Sequence, residues 1–287
     1  MNASSKTAQS GEWIRVSGWD AQDWLWHGFS TRRGGVSRVY LSAEDDAGEL
    51  NLGYTKADLP ENVRENRKRL IEAITGSRET PLFTVSQVHS NLSVILDSER
   101  AAGGAGVVGE ADGILTNQQG VIIGILTADC IPVLIADPVH RSVGAFHAGW
   151  RGTVERIVER GIDRMRAEFG SEPGDLIAAI GPGIGQCCYT VGAEVRERFE
   201  EKFSYASELF SLEASQTANG DGNPALSPDL LRLDLIEANR RQLLAAGLQE
   251  DSIAVAGSCT SCHPELFYSH RASGGNAGRM MAVIGVR

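Results

Sequence analysis

Apolar positions along the 287-residue chain follow two different periods. Over residues 60–74, Val63, Leu70, Ile71 and Ile74 share one face at helical spacing, Pro60 suits a first turn, Gly76 a stop, and the other face is charged and so solvated. Between residues 82 and 146 the pattern shortens to apolar runs at 82–88, 92–96, 121–126, 131–136 and 143–146. These are bounded by Gly, Pro or Asp and are too short for typical helices, which predicts strands. Helical spacing returns with apolar residues at 154, 157, 158, 162, 165 and 169. Gly152 or Thr153 serves as cap and Gly170 as stop, so the strand that carries His147 is expected to feed one helix over 153–169. Further strands are expected at 176–180, 253–256 and 280–286, and helices at 193–203 and 235–246. Residues 204–228 are polar and include Asn219-Gly-Asp-Gly-Asn-Pro224, which reads as a surface excursion. The mixed order predicts an α/β (mixed α+β) fold: a single compact domain over 12–287, with mixed sheets flanked by helices, after a disordered segment at 1–11.

Composition narrows the classes. With 42% apolar residues the chain can bury a substantial core. Its net charge of −10, from 27 basic and 37 acidic residues, argues against a nucleic-acid surface, which needs clustered Lys and Arg. The first residues lack an apolar secretory core and no run is long enough to span a membrane, so a cytoplasmic protein with no membrane partner is expected. Five cysteines without an export signal argue against a disulfide framework and direct attention to thiol or metal chemistry. The oligomeric state is not set by any of these features.

Three residues carry that chemistry. His89, Cys130 and His147 each lie near the end of a separate apolar run, and two imidazoles with one thiolate suit zinc or copper. Three protein ligands leave a coordination position open for substrate. The spacings are long, so the residue types carry the argument. Asp129-Cys130-Ile-Pro132 places the thiol at a sharp break between runs, and Gly149 and Gly152 in His147-Ala-Gly-Trp-Arg-Gly152 permit close backbone approach.

The segments Gln87-Val-His89, Thr127-Ala-Asp-Cys-Ile-Pro132, His147-Ala-Gly-Trp-Arg-Gly152, Gly181-Pro-Gly-Ile-Gly-Gln-Cys-Cys-Tyr189 and Phe267-Tyr-Ser-His-Arg271 with Gly278-Arg279 resemble the YfiH family, also labelled laccase domain or polyphenol oxidase. The likeness runs from about Gly28 to the C-terminus. It implies a YfiH-like fold in which His89, Cys130 and His147 hold a catalytic metal, normally zinc, with copper as the alternative. It also implies phosphorolysis of adenosine or inosine to the free base and ribose 1-phosphate, extending to methylthioadenosine, with adenosine deaminase activity beside it. The alternatives are copper-dependent phenol oxidation and a non-catalytic nucleoside-binding module. A multicopper array needs more clustered imidazoles than six histidines supply here.

Roles follow as expectations. Phosphate and a purine nucleoside are the expected partners. Arg151, beside Cys130 in the catalytic set, suits oxyanion binding, as do Arg32 and Arg33 in their Gly-flanked turn. Gln87 lies two residues before His89 and is expected to support the metal or bind the base, and Trp150 offers a face for a purine. For deamination, a metal-activated water would attack purine C6, with Asp129 as the nearest carboxylate to shuttle the proton. Gly181-Pro-Gly-Ile-Gly185 lacks the third glycine of a dinucleotide fingerprint at its proper offset and is expected to line the pocket instead. Cys259-Thr-Ser-Cys262-His263 matches a haem-attachment pattern without an export signal, and His263-Pro-Glu265 has the order of a zinc deaminase signature reversed. A second metal or redox pair there competes with an inert loop. Adjacent Cys187 and Cys188 are expected to face apart and carry no chemistry.

Overall fold

A computed structural model describes residues 9–10, 13–41, 47–218 and 224–287. Two sheets pack face to face. The first runs in the order Gln9–Ser10, Trp13–Ile14, Leu25–Ser30, Met280–Val286, Val121–Thr127, Leu82–Ser86, Gly106–Glu110. The second runs Ile253–Val255, Ile177–Ile180, Ile131–Asp137, Ser142–Ala148, Gly113–Thr116, Ser93–Ile95. Both sheets are mixed: Val121–Thr127 pairs antiparallel with Met280–Val286 and parallel with Leu82–Ser86. Among the described residues no helix is long and apolar enough to cross a membrane.

The layering explains why the strands read as unbroken apolar runs. Along Ile131–Asp137, Leu134 and Ala136 face the inter-sheet core while Val133 and Ile135 face the helices Ile157–Phe169 and Leu235–Ala245. Along Met280–Val286, Ala282 and Ile284 join the same inter-sheet core, and Met281 and Val283 pack against Leu70 and Ile71 of the helix Pro60–Thr75. A strand alternates sides every residue, so a strand covered on both faces has no solvent-facing position and is apolar along most of its length. Phe146 locks the second sheet to its helix. A Cβ on Gly161 would lie 2.2 Å from the Phe146 ring, and one on Gly144 or Gly113 2.8 Å from it, so three glycines make room for one phenyl group. Removing a ring buried this way costs about 3–5 kcal/mol.

The helix at 60–74 and the strands from 82 to 146 form close to their expected bounds, but four expectations change. The helix expected over 153–169 is two, Trp150–Val154 and Ile157–Phe169, broken at Arg156, whose φ is +62°. It begins earlier than expected because Gly149, in extended backbone, caps it. At the break the Thr153 carbonyl accepts from the Arg156 N–H at 3.0 Å and from Gln242 Nε2 at 2.7 Å, and Asn239 Nδ2 donates to the Thr153 hydroxyl. The segment read as a surface excursion forms the strands Phe210–Ala218 and Pro224–Leu233, which pair with each other, the second also with Thr190–Val191. Backbone pairing between the two strands is invisible to composition; residues 219–223 lie outside the described residues. The helix expected at 193–203 closes as Ala193–Glu200. At the N-terminus, Gln9–Ser10 pairs with Trp13–Ile14, and the rest of the segment expected to be disordered lies outside the described residues.

Candidate metal centre and cavity

The two sheets meet at one end, and the metal ligands come from both. His89 follows the first-sheet strand Leu82–Ser86, and Cys130 sits in the link from first to second sheet. His147 occupies the second-sheet strand Ser142–Ala148. Their ligand atoms all lie within 4.8 Å of one another. The two links are bent sharply: His89 has φ +59° and Asp129, beside Cys130, φ +91°. Such left-handed backbone costs side-chain-bearing residues energy and persists where surrounding contacts enforce it.

Asp112 supplies that enforcement at His89. Its carboxylate accepts backbone N–H bonds from Val88 at 3.2 Å, His89 at 3.0 Å and Ser90 at 2.5 Å, together with the Ser90 hydroxyl at 2.8 Å. The same carboxylate accepts a hydrogen bond from His147 Nδ1–H at 2.8 Å. That bond fixes the imidazole orientation and leaves Nε2 for a metal. At Asp129 the clamp is different. One oxygen accepts from Thr260 Oγ1 at 2.6 Å and the other from the Arg271 backbone N–H at 2.7 Å. Gln87 continues strand pairing past the end of Leu82–Ser86, its amide donating to Leu126 O and accepting from Leu126 N, each at 2.7 Å.

Electrostatics prepare the donors. Burial opposes ionisation of Cys130, but His147 and His89 outweigh it and bring the thiol below its ordinary range. Burial also opposes a charge on His147, yet Cys130 and Asp112 raise it. Burial works against the Asp112 carboxylate too, and the bonds from His147 and Ser90 hold it down at about 2. Thiolate is the form that ligates metal, whereas the proton that the raised His147 keeps must leave before its Nε2 can ligate, so metal binding releases it. A Cβ on Gly149 would lie 3.0 Å from Cys130 Sγ and 3.3 Å from the His89 ring, so glycine keeps the ligand space clear. Two imidazoles, a stabilised thiolate and an oriented Nε2 fit a zinc-type ion.

The cluster opens into a cavity of about 580 Å³. Arg67, Arg151, Arg271 and Arg279 stand in its wall with His270, Tyr54, Trp150 and Tyr189, and Asp129 is the acidic residue there. Arg151 stacks on Trp150, its guanidinium carbon 4.5 Å from the ring centroid. Arg67 lies over Tyr54 at 4.7 Å and bonds Leu52 O.

Of the residues singled out in the sequence, Gln87, His89, Asp129, Cys130, His147, Trp150 and Arg151 come together in this wall. Gln87 and Asp129 arrive with their polar atoms committed to the backbone and to Thr260, which positions the two ligand-bearing links. Arg32 and Arg33 do not reach it. They line a separate cavity with Tyr40, Glu49 and Pro264, where Arg32 is ion-paired with Glu49 and Arg33 donates to Glu265 O. Gly-flanked arginines look like anion binders in sequence, but here Glu49 neutralises Arg32 and both residues lie away from the metal cluster. The sequence reading missed Asp112, Arg67, Arg271, Arg279 and His270. Asp112 in Glu110-Ala-Asp-Gly113 looks like a turn residue, and the signal available was the need of a ligating histidine for a partner on its second nitrogen.

Cys187 and Cys188 also depart from expectation. Both place Sγ 3.4 Å from Cys262 Sγ. Cys188 and Tyr189 donate their N–H groups to the same Gly185 carbonyl, a tight turn that gathers side chains an extended strand would splay.

Residues 26–287 match the family described as multi-copper polyphenol oxidoreductase laccase. The chain is 34% identical over 264 residues to a Bacillus subtilis protein named purine nucleoside phosphorylase YlmD, covering 91% of this chain and 88% of that one. It is 38% identical over 261 residues to a Deinococcus radiodurans purine nucleoside phosphorylase, covering 91% and 88%. The crystal structure of the Bacillus licheniformis hypothetical protein YfiH superposes with a TM-score of 0.83 at 30% identity, over 97% of this chain and 98% of that one. With its mixed sheets, its His-Cys-His cluster and these likenesses, the chain belongs to the YfiH/YlmD laccase-domain family.

Proposed function

We propose that this protein is a metal-dependent purine nucleoside phosphorylase acting on adenosine and inosine. The observation that carries the reading is the charge of the cavity wall: four guanidiniums and one carboxylate, Asp129, whose oxygens are already engaged. Such a wall binds an oxyanion and offers no uncommitted carboxylate among the described lining residues to shuttle protons for deamination. Phosphorolysis is therefore the main reaction and deamination a side activity. The relatives named above as purine nucleoside phosphorylases support it.

His89, Cys130 and His147 would hold the metal, zinc by its donor set, with copper as the alternative. When bound, it supplies Lewis-acid polarisation. The chain's own groups do the rest. Arg151, with Arg67, Arg271 and Arg279 around it, holds phosphate by charge-assisted hydrogen bonds and aims one oxygen at the anomeric carbon. Trp150 and Tyr54 present flat faces to the purine. As the phosphate oxygen bonds C1′, the C1′–N9 bond breaks, its electron pair leaves with the purine, and a proton reaches a ring nitrogen. His270 is the imidazole on the wall outside the metal cluster and is assigned that delivery. Methylthioadenosine differs at the 5′ position, away from the bond broken, and belongs in the same assay.

The multicopper alternative requires further clustered imidazoles. Among the described residues none joins the His89–Cys130–His147 cluster: His140 bonds Asp137, His263 faces Glu265, and His27 packs on Trp19. The test is incubation of metal-quantified protein with adenosine and inosine, with and without phosphate, followed by chromatography, with Cys130→Ala alongside. Phosphate-dependent adenine and hypoxanthine, lost in the variant, are expected. Inosine formed from adenosine without phosphate would make deamination primary. No turnover by metal-loaded protein sinks the proposal, and oxidation of phenols that rises with added copper would replace it.

A further inference from the structure

A second cluster lies outside the metal centre. Cys187, Cys188, Cys259 and Cys262 bring all four Sγ atoms within 4.8 Å of one another. Two come from the turn after Gly181-Pro-Gly-Ile-Gly185 and two from the Cys-Thr-Ser-Cys stretch after strand Ile253–Val255. The loops are laced together by backbone: Gly183 pairs with Cys259, Gly183 N–H donates to Ser258 O at 3.3 Å, and Thr260 N–H donates to Gly183 O at 2.9 Å.

We propose that these four cysteines bind one zinc ion as a closed tetrathiolate site that staples the two loops together. Zinc–sulfur bonds of about 2.3 Å place the sulfurs of a tetrahedron ~3.8 Å apart. The observed approaches of 3.4 Å for Cys187–Cys262 and Cys188–Cys262, with every pair inside 4.8 Å, bracket that edge. They are far longer than a disulfide bond of about 2.05 Å, and all five cysteines are free. The Gly185 N–H donates to Cys259 Sγ at 3.2 Å, the kind of bond that stabilises a metal-bound thiolate. Each thiol that ligates releases its proton to solvent. Cys187 and Cys262 are exposed, so the ion has access.

Placement gives the staple a consequence. The first loop carries Ile184 and Tyr189 and the second leads to His270 and Arg271, all in the cavity wall. Thr260, between Cys259 and Cys262, holds Asp129 beside Cys130. Four closed ligands leave no open position, so the ion orders the wall and takes no part in chemistry.

Metal analysis of protein purified under reducing conditions and equilibrated with zinc tests this. Wild type should carry about two zinc ions per chain and Cys130→Ala about one, since only the closed site survives in that variant. In Cys130→Ala the four remaining thiols should resist alkylation until a strong chelator is added. Cobalt in the same variant should give the intense thiolate-to-metal charge-transfer absorption of a tetrahedral sulfur set. The double variant Cys259→Ser, Cys262→Ser should lose one zinc and keep the other. If that variant misfolds, thiol protection in Cys130→Ala still decides. Zinc-free Cys130→Ala, with thiols that alkylate at once or pair as disulfides, overturns the proposal.

Discussion

Asp112 Oδ1 accepts a hydrogen bond from His147 Nδ1–H at 2.8 Å while the same carboxylate holds the backbone of His89. One side chain thus orients two metal ligands drawn from opposite sheets. Replacing it by asparagine keeps the volume and removes the charge. Asp112→Asn is expected to weaken metal affinity roughly 10–100-fold, the range for losing such a supporting partner. Competition against a chromophoric chelator measures it. Unchanged affinity would mean that the His147 imidazole is held by packing alone.

Gly149 faces Cys130 and His89 through a missing side chain. In Gly149→Ala the new methyl would stand 3.0 Å from Cys130 Sγ, closer than ordinary contact. Crowding of this sort costs about 1–3 kcal/mol, roughly 5- to 150-fold in affinity if the ligands yield rather than the helix. The variant should keep its far-ultraviolet circular dichroism and lose metal. Full occupancy at wild-type affinity would show that the ligand space is roomier than the 3.0 Å approach implies.

How much was legible in the chain depended on whether a signal was local. Runs such as Ile131–Asp137 and Met280–Val286 announce themselves because both faces are buried, and Gly76 ends its helix by its own left-handed backbone, φ +81°. His89, Cys130 and His147 stand out by residue type at run ends. What stayed hidden depends on tertiary partners. The helix break at Arg156 is tolerated because Gln242, 89 positions away, donates to the Thr153 carbonyl beside it. Arg32 looks like an anion binder until Glu49 is seen beside it. Cys187 and Cys188 look incompatible until the Gly185 turn curls them toward Cys262.

His27 is buried in the first sheet, edge-on to Trp19 at 5.2 Å and accepting weakly from Val16 N–H. Burial, aided by Arg15 and Arg287 and opposed by Asp20, lowers its pKa to about 4 from 6.5. The unfolded chain therefore binds a proton that the folded chain refuses between these values. Stability from this group is complete above pH 6.5, falls as pH drops toward 4, and is constant below, a loss of up to about 3 kcal/mol. His27→Gln removes the titration and keeps an acceptor. Urea melts at pH 7.5 and pH 5 should show a smaller pH-dependent loss in the variant. Equal losses in both proteins would place the acid sensitivity in other groups.

Arg151 and Arg32 separate phosphate binding from structure. Arg151 is in the cavity wall with its guanidinium over Trp150, whereas Arg32 is ion-paired with the buried Glu49 and lies over Tyr268 at 4.8 Å in the other cavity. Removing a charged hydrogen-bond donor costs about 1.5–3 kcal/mol, so Arg151→Ala should raise the phosphate KM roughly 10–100-fold with little change in melting temperature. Arg32→Ala takes away the cation that neutralises Glu49 and is expected to cost about 3 kcal/mol of stability, with the phosphate KM unchanged. Phosphate titrations of kcat/KM beside thermal melts read both quantities. A phosphate KM that responds to Arg32 and not to Arg151 would move the anion site to the other cavity, and the proposed geometry of phosphorolysis with it.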